Sequence, residues 1–418
     1  SKLKKFEKNK PSVAFDNEYE IKQFIQSRFD EFLDNNKTFQ EDIIKYFFYY
    51  LIPYKPIPDF NNLEEYEEYI RSFEIITIKT KPDGTPNKVK SFEECYIANY
   101  LFSKGIEYEY ERSYKYDTST EDKTQYEPDF YIPQYDIWLE HFAINKDTEG
   151  NLSSPYGEEY IESYNWKLRL HKDMKTKLIS TYSYEFTNNN LFMNLETSLK
   201  GHGVKLNNLS NEDIINELKK TTSFTINPFT DLLIGVLNHY KSNQYTPNDL
   251  DKLVHQSFSN KRLIERSNLF FKLFLQIYNV YSQLLDTKPK TIDFSDQINY
   301  AIDVIKSNEY KNPYKYIIVD EFQDISIARY RMLKSLIDKK PVCKLYVVGD
   351  DWQSIYKFSG SDVSILYDFS NYFGFTKTQN LTKTFRFNQK LAEISNKFIL
   401  KNDRQLDKEM YSDKDDKT

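Results

Sequence analysis

Two short apolar runs in this 418-residue chain end in acidic residues placed to do chemistry. Tyr316–Val319 runs into Asp320-Glu321-Phe322-Gln323-Asp324, and Lys344–Val348 runs through Gly349 into Asp350-Asp351-Trp352-Gln353. Short, β-branched runs without polar breaks suit strands buried on both faces of a parallel sheet. Open α/β sheets bind ligands beyond the carboxyl ends of their strands, which puts both acidic clusters on one edge. An apolar strand delivering Asp-Glu suits a nucleotide-bound magnesium ion, with the Asp near the metal and the Glu orienting a water. A lone Asp-Glu would ordinarily be a solvated pair. The second run, ending GDDWQSIYKFSG, argues against that here. Between the runs, Ile327–Ile337 has helical apolar spacing, which makes a strand–helix–strand crossover of ordinary length.

A second set of carboxylates lies earlier. SFEECYIANYLFSKG reads as an amphipathic helix ended by Gly105. IEYEYERSYKY alternates like a strand, and residues 117–125 read as a loop. EPDFYIP and DIWLEHFAI read as a strand pair, NWKLRLHKDM as a helix and KLISTYSYEF as a strand. Asp129 and Glu140 fall on this strand pair, about ten positions apart. Clustered carboxylates bind a hard cation and let it activate a water on a phosphodiester, although Asp129 after Pro128 is also an ordinary turn residue.

The motifs carry a family resemblance. DEFQD and GDDWQSIYKFSG resemble motifs II and III of the UvrD/Rep-type superfamily 1 DNA helicases, and LTKTFRFN (381–388) resembles their motif IV. The wording VDEFQDIS and VGDDWQSIYKFSG is most similar to the helicase IV branch. The resemblance implies a P-loop NTPase (RecA-like) α/β motor with ATP and Mg2+ as cofactors. It implies that Asp320 holds magnesium, Glu321 activates the attacking water and Gln353 senses the γ-phosphate. It makes Arg386 an arginine finger, sets Phe385 near the adenine, and stacks Tyr356 and Phe358 on bases of single-stranded DNA. The implied partner is single-stranded or partly duplex DNA, with 3′ to 5′ movement.

The 76–186 stretch resembles the PD-(D/E)xK restriction-endonuclease fold, which implies a magnesium cluster of Glu94, Asp129 and Glu140. It departs at Phe142, where that pattern has a lysine. Lys167 on the following helix is the expected substitute, with His141 as another contributor. A magnesium-dependent nuclease, or a nuclease-like module that grips DNA, is therefore the alternative reading. A further alternative is a non-catalytic regulator that binds DNA or RNA polymerase.

A motor of this family needs a phosphate-cradling loop, GxxxxGK followed by Ser or Thr. None of the ten glycines is followed by lysine, so the loop is absent from this sequence. Motifs later than motif IV are absent too, and the opening KKFEKNKPSVA resembles a point just after the first motifs. The chain therefore reads as the middle of a larger helicase, whose missing parts a longer chain or a partner chain supplies. On its own it is expected to hydrolyse ATP poorly.

The expected organisation is a helical connector over 1–75, the nuclease-like insert over 76–186 and a helical subdomain over 187–300. The first motor domain follows over 301–375, and the second begins over 376–418. Asn227-Pro228, Thr246-Pro247 and Lys288-Pro289 punctuate the helical subdomain, while Pro53, Pro56 and Pro58 break the connector. The charged end beyond Lys401 reads as frayed.

With 57 basic and 63 acidic residues the net charge is −6, so a DNA path must be a local groove and not a uniformly basic surface. Cys95 and Cys343 are the two cysteines, far apart and in apolar contexts, which supports neither a disulfide framework nor a zinc site. No signal peptide and no membrane-spanning run is visible, so the expectation is a cytoplasmic protein. His171, His202, His239 and His255 are scattered and read as structural or surface residues.

Overall fold

The computed structural model describes residues 12–15, 18–51, 55, 60–120, 124–221, 226–286, 291–354, 361–402, 406 and 408–414. The chain forms two compact units, one of residues 26–230 and 251–276, the other of residues 1–25, 231–250 and 277–418. Among the described residues no helix is long and apolar enough to cross a membrane.

In the chain, β1 (Ser12–Val13) is followed by helices Glu18–Asn35, Lys37–Tyr49 and Leu63–Arg71, then β2 (Ile76–Thr80) and β3 (Pro86–Lys88). After helix Phe92–Ser103 come β4 (Glu109–Tyr110), β5 (Phe130–Ile132), β6 (Ile137–Phe142), β7 (Asn145–Lys146) and β8 (Leu152–Ser153). Helix Glu158–Asp173 leads into β9 (Lys177–Tyr182). Strands β4, β5, β6 and β9 form one sheet in that order, antiparallel until β9 joins β6 in parallel through the 158–173 crossover helix.

Strand β6 is buried along nearly its whole length because it is covered on both faces. Ile97 and Leu101 of helix Phe92–Ser103 pack with Phe130, Ile132, Ile137 and Leu139 in one core. Trp138 packs with Tyr114, Tyr126, Trp166 and Leu170, the last two from helix Glu158–Asp173. Helix Phe92–Ser103 is itself buried on most sides, where its spacing predicted an amphipathic one, because Phe92, Cys95 and Tyr96 pack in a second core with Ile75 and Val89. Ser91 caps it by accepting the Glu94 amide at 3.1 Å. Gly105 ends it at φ +65°, where a Cβ would come within 2.7 Å of the Asn207 carbonyl oxygen.

Two further local expectations need correction in this unit. Only Glu109–Tyr110 of the 106–116 stretch pairs as a strand. The 177–186 stretch leaves the sheet at Tyr182, because Glu185 accepts the Tyr182 amide and starts the short helix Ser183–Thr187. His171 is a buried structural residue, as expected: its Nδ1 meets Thr176 Oγ1 at 2.7 Å, and burial, helped by the charge of Lys167, pushes it down to about 4.

In the other unit β1 pairs in parallel with β10 (Thr291–Ile292), so Ser12–Val13 are a strand within the stretch expected to be helical. Asp293 caps helix Phe294–Lys306, and its carboxylate takes buried Lys241 and the Tyr281 hydroxyl. Strand β11 (Tyr316–Val319), helix Ile327–Lys339 and β12 (Lys344–Val347) form the predicted parallel crossover. Ile317, Val319 and Val347 face a core of Phe322, Ile325, Leu333 and Ile365. The opposite face carries Tyr316, Ile318 and Tyr346, 69%, 73% and 65% exposed. The strands are therefore buried on one face and not two, because no described element covers the second.

The 361–374 stretch forms two short helices, Ser364–Tyr367 and Phe369–Phe373, that meet at Asp368. Helix Gln389–Ile399 follows, capped by Asn388. Residues 408–414, expected to be frayed, are tied down: the Tyr411 carbonyl accepts the Thr384 amide and the Met410 amide donates to Asn396 Oδ1. Pro53, Pro56, Pro58 and Lys288-Pro289 lie outside the described residues.

Candidate functional site

The acidic edge is built by β11 and β12. At the end of β11 the backbone of Glu321 turns into the left-handed region (φ +49°, ψ +46°), a conformation costing a non-glycine residue about 1 kcal/mol or more. The turn leaves Asp320 and Glu321 exposed while dropping Phe322 and Gln323 into the interior. Gln323 then wires the two strand ends together. Its Nε2 donates to Glu321 Oε2 at 2.8 Å, and its Oε1 accepts the Asp350 amide at 2.9 Å. Gly349 permits this approach, because a Cβ there would sit 3.1 Å from both Gln323 N and Oε1.

The β12 loop continues the wiring. Asp350 Oδ1 accepts the Trp352 amide at 3.2 Å, and Oδ2 accepts Gln353 Nε2 at 2.8 Å. Burial alone would raise the Asp350 carboxyl. The Lys408 ammonium and the Gln353 amide outweigh it and hold the group below its ordinary range. Sequence reasoning missed Gln323 as the link, although it lies inside the DEFQD motif. Replacing Gln323 by alanine should cost about 1–3 kcal/mol, because it empties a buried side-chain position and leaves the half-buried Asp350 amide without an acceptor. Urea unfolding of the purified chain checks this.

Arg386 and Phe385 lie on the 382–388 segment, both exposed. Lys383 Nζ stands 5.2 Å from the Phe385 ring centroid, and the Arg386 amide donates to Thr384 Oγ1 at 3.3 Å. Among the described residues neither side chain bonds to Asp320, Glu321, Asp350 or Gln353. Tyr356 and Phe358 lie outside the described residues.

The second set of acids converges on the β5–β6 pair. Because Phe130 faces Leu139, Asp129 falls beside Glu140, and its amide donates to Glu140 Oε2 at 3.1 Å. The His141 amide donates to Asp129 Oδ2 at 2.6 Å. Lys167, reaching from helix Glu158–Asp173, forms an ion pair with Glu140 Oε1. Glu94 accepts the Tyr110 hydroxyl at 2.5 Å. Phe142 is buried with Ile144 and Tyr164. His141 lies on the other side of β6, its Nε2 2.6 Å from Glu93 Oε2 and its Nδ1 2.9 Å from Thr181 Oγ1. Glu93 and Thr181 had no signal in the sequence, since a strand's alternation tells which face His141 takes but not its partners.

Burial, then the charges of Glu140 and Glu94, pushes the Asp129 carboxyl well above its ordinary range. Burial also raises Glu140, against the pull of Lys167. Among the described residues no group of three His, Cys, Asp or Glu side chains is arranged to hold a metal ion. Glu140 has one oxygen on Lys167 and the other on the Asp129 amide, so a cation would have to displace Lys167.

A raised folded-state carboxyl contributes stability below its unfolded value, and that contribution is lost as pH rises through the folded one. Asp129→Asn should therefore stabilise the chain at neutral pH, and the gain should vanish in acid. Thermal melting across that range checks the sign.

Residues 138–374 match the UvrD/REP helicase N-terminal domain family. The match begins inside β6, so it takes in Glu140 but neither Glu94 nor Asp129, and it stops before Phe385 and Arg386. The chain is similar to DNA helicase IV of Escherichia coli (strain K12), 41% identical over 121 residues, covering 29% of this chain and 18% of that protein. It is similar to the ATP-dependent DNA helicase UvrD1 of Mycobacterium leprae, 30% identical over 150 residues, 33% of this chain and 19% of the relative. The ATP-dependent DNA helicase PcrA of Staphylococcus epidermidis is 27% identical over 187 residues, 43% and 24% of the two chains. The chain thus spans 18–24% of the length of these relatives.

Proposed function

The chain belongs to the UvrD/REP helicase family, and on that premise we propose that it is part of an ATP-dependent motor that moves on single-stranded DNA and unwinds duplex. The observation that carries this reading is the parallel β11–β12 pair, which delivers Asp320, Glu321 and Gln353 to one exposed edge wired through Gln323. Asp320 and Glu321 are hard oxygen ligands open to solvent, which suits a nucleotide-bound magnesium ion. Such an ion neutralises charge on the transferred phosphoryl group. In this reading Asp320 holds the ion and Glu321 accepts the proton of the attacking water. Gln353 donates its amide to the terminal phosphate, which requires it to leave Asp350. Arg386 brings a positive charge to the phosphoryl oxygens, and Phe385 offers a face to the adenine. Tyr356 and Phe358 would stack on bases. The implied direction of movement is 3′ to 5′.

The sequence holds no phosphate-cradling loop, so this chain supplies the metal-holding and sensing half of the motor and needs the other half from a longer or partner chain. The test is ATP hydrolysis by a form of the protein that includes such a loop. Turnover should depend on single-stranded DNA and on Glu321.

A second reading concerns 76–186 alone, and the raised Asp129 carboxyl beside Glu140 and Lys167 favours it. Groups strained this way by burial and like charge cluster at functional sites. There the segment is a nuclease-like module in which Glu94, Asp129 and Glu140 take magnesium and Lys167 moves onto the phosphodiester. Magnesium-dependent cutting of DNA by the purified chain, lost in Asp129→Ala, supports cleavage. Binding without cutting assigns the module to gripping DNA.

A further inference from the structure

Residues 406 and 408–414 touch both parts of the motor edge. The Leu406 amide donates to Asp351 Oδ2 at 2.8 Å. Lys408 Nζ lies 2.5 Å from Asp350 Oδ1 and 2.6 Å from Asp351 Oδ1, and 5.0 Å from the Trp352 ring centroid. The Asp351 side chain is fully enclosed, and that of Lys408 is 13% exposed. The same segment clasps the stretch that carries Arg386. The Thr384 amide donates to the Tyr411 carbonyl at 2.8 Å, and the Tyr411 amide to the Thr382 carbonyl at 2.9 Å. Ser412 Oγ donates to the Phe387 carbonyl at 2.7 Å. Asn396 exchanges two hydrogen bonds with the Met410 backbone, at 2.9 and 3.1 Å.

We propose that Lys408 is a positioning residue that couples the loop carrying Gln353 to the segment carrying Arg386. An enclosed carboxylate that loses its counter-charge must take a proton or move to water. Without the ammonium, Asp351 leaves its place, and Asp350, which holds the Gln353 amide, loses its one charged partner and keeps only the Trp352 amide beside it. The strap then loses its charged anchor on the loop, and its hold on 382–388 loosens with it. Two groups on separate segments thus stay in register because one lysine binds the loop from a strap hydrogen-bonded to the other segment. The functional consequence rests on the motor reading above. The coupling itself does not, so each can fail separately.

The first test is hydrogen exchange on the 418-residue chain. Lys408→Met keeps the aliphatic stem over Trp352 and removes the charge. Amides of 350–354 and 382–388 should both exchange faster, by about tenfold or more, and Lys408→Arg should restore most of the protection. Faster exchange in 350–354 alone, or in neither segment, overturns the coupling. If Lys408→Met also opens helix Phe294–Lys306, Asp350→Asn, which leaves the Asp351 pair, becomes the test. It should give a smaller rise in the same two segments, and a rise confined to 350–354 overturns the proposal.

In a longer form that hydrolyses ATP, Lys408→Met should lower kcat about tenfold with KM within about twofold, as lost transition-state positioning does. Lys408→Arg should recover it. A raised KM with kcat intact overturns the positioning role. A wild-type form without ATPase activity overturns the motor reading and leaves the exchange result to decide the coupling.

Discussion

Replacing Arg386 by alanine in a form of the protein that hydrolyses ATP should lower DNA-stimulated turnover by about three to five orders of magnitude. The guanidinium is exposed, and among the described residues it has no carboxylate partner, so its charge is free to be spent on a ligand. Its position comes from the backbone: the Arg386 amide rests on Thr384, and Thr384 and Phe387 are held by the 411–412 strap. Removing the side chain should leave the fold intact, since an exposed arginine without partners contributes little to stability. ATP affinity should fall far less than kcat, because a finger acts on charge that develops in the transition state. Steady-state kinetics together with a melting curve separates these outcomes. A loss under about tenfold would remove Arg386 from the reaction.

Glu321→Gln should lower turnover by about two to four orders of magnitude, the usual contribution of a positioned general base. The substitution keeps shape and keeps an oxygen to accept Gln323 Nε2, so the wiring between β11 and β12 survives. What disappears is the carboxylate that takes the proton. The protein should therefore still bind ATP and DNA while hydrolysing hardly any ATP. Equal loss of nucleotide binding would mean that Glu321 serves the metal and not the water.

Much of the fold was legible because the local signals agreed. The β11–helix–β12 crossover, the β5–β6 pair, the helix at 92–103 and the later part of the helix at 158–173 are each marked by their apolar pattern, and the 92–103 helix also by its Gly105 stop. The sequence offered Lys167 only as a substitute for the lysine absent at Phe142; its ion pair with Glu140 is a contact that the structure adds.

Other features depended on contacts between residues far apart in the chain. Nothing in Ser12–Val13 announces pairing with Thr291–Ile292. The apolar runs of β11 and β12 predict burial but do not say that one face stays open. The charged end looked frayed because charge runs usually are. Lys408 is ordered there because two carboxylates about 57 residues away need its ammonium. The Gln323 bridge likewise depends on Gly349, whose missing Cβ matters only once the two loops meet.

The most direct test of the account is ATP turnover on single-stranded DNA, comparing this chain with a version extended at both ends by its native flanking sequence. The account predicts that the extended protein hydrolyses ATP in a Glu321- and Arg386-dependent way while the 418-residue chain hydrolyses little or none. Robust turnover by the 418-residue chain would contradict the claim that it holds only part of the motor. Absence of turnover in both would contradict the motor reading itself and leave Glu94, Asp129 and Glu140 as the residues to test for activity.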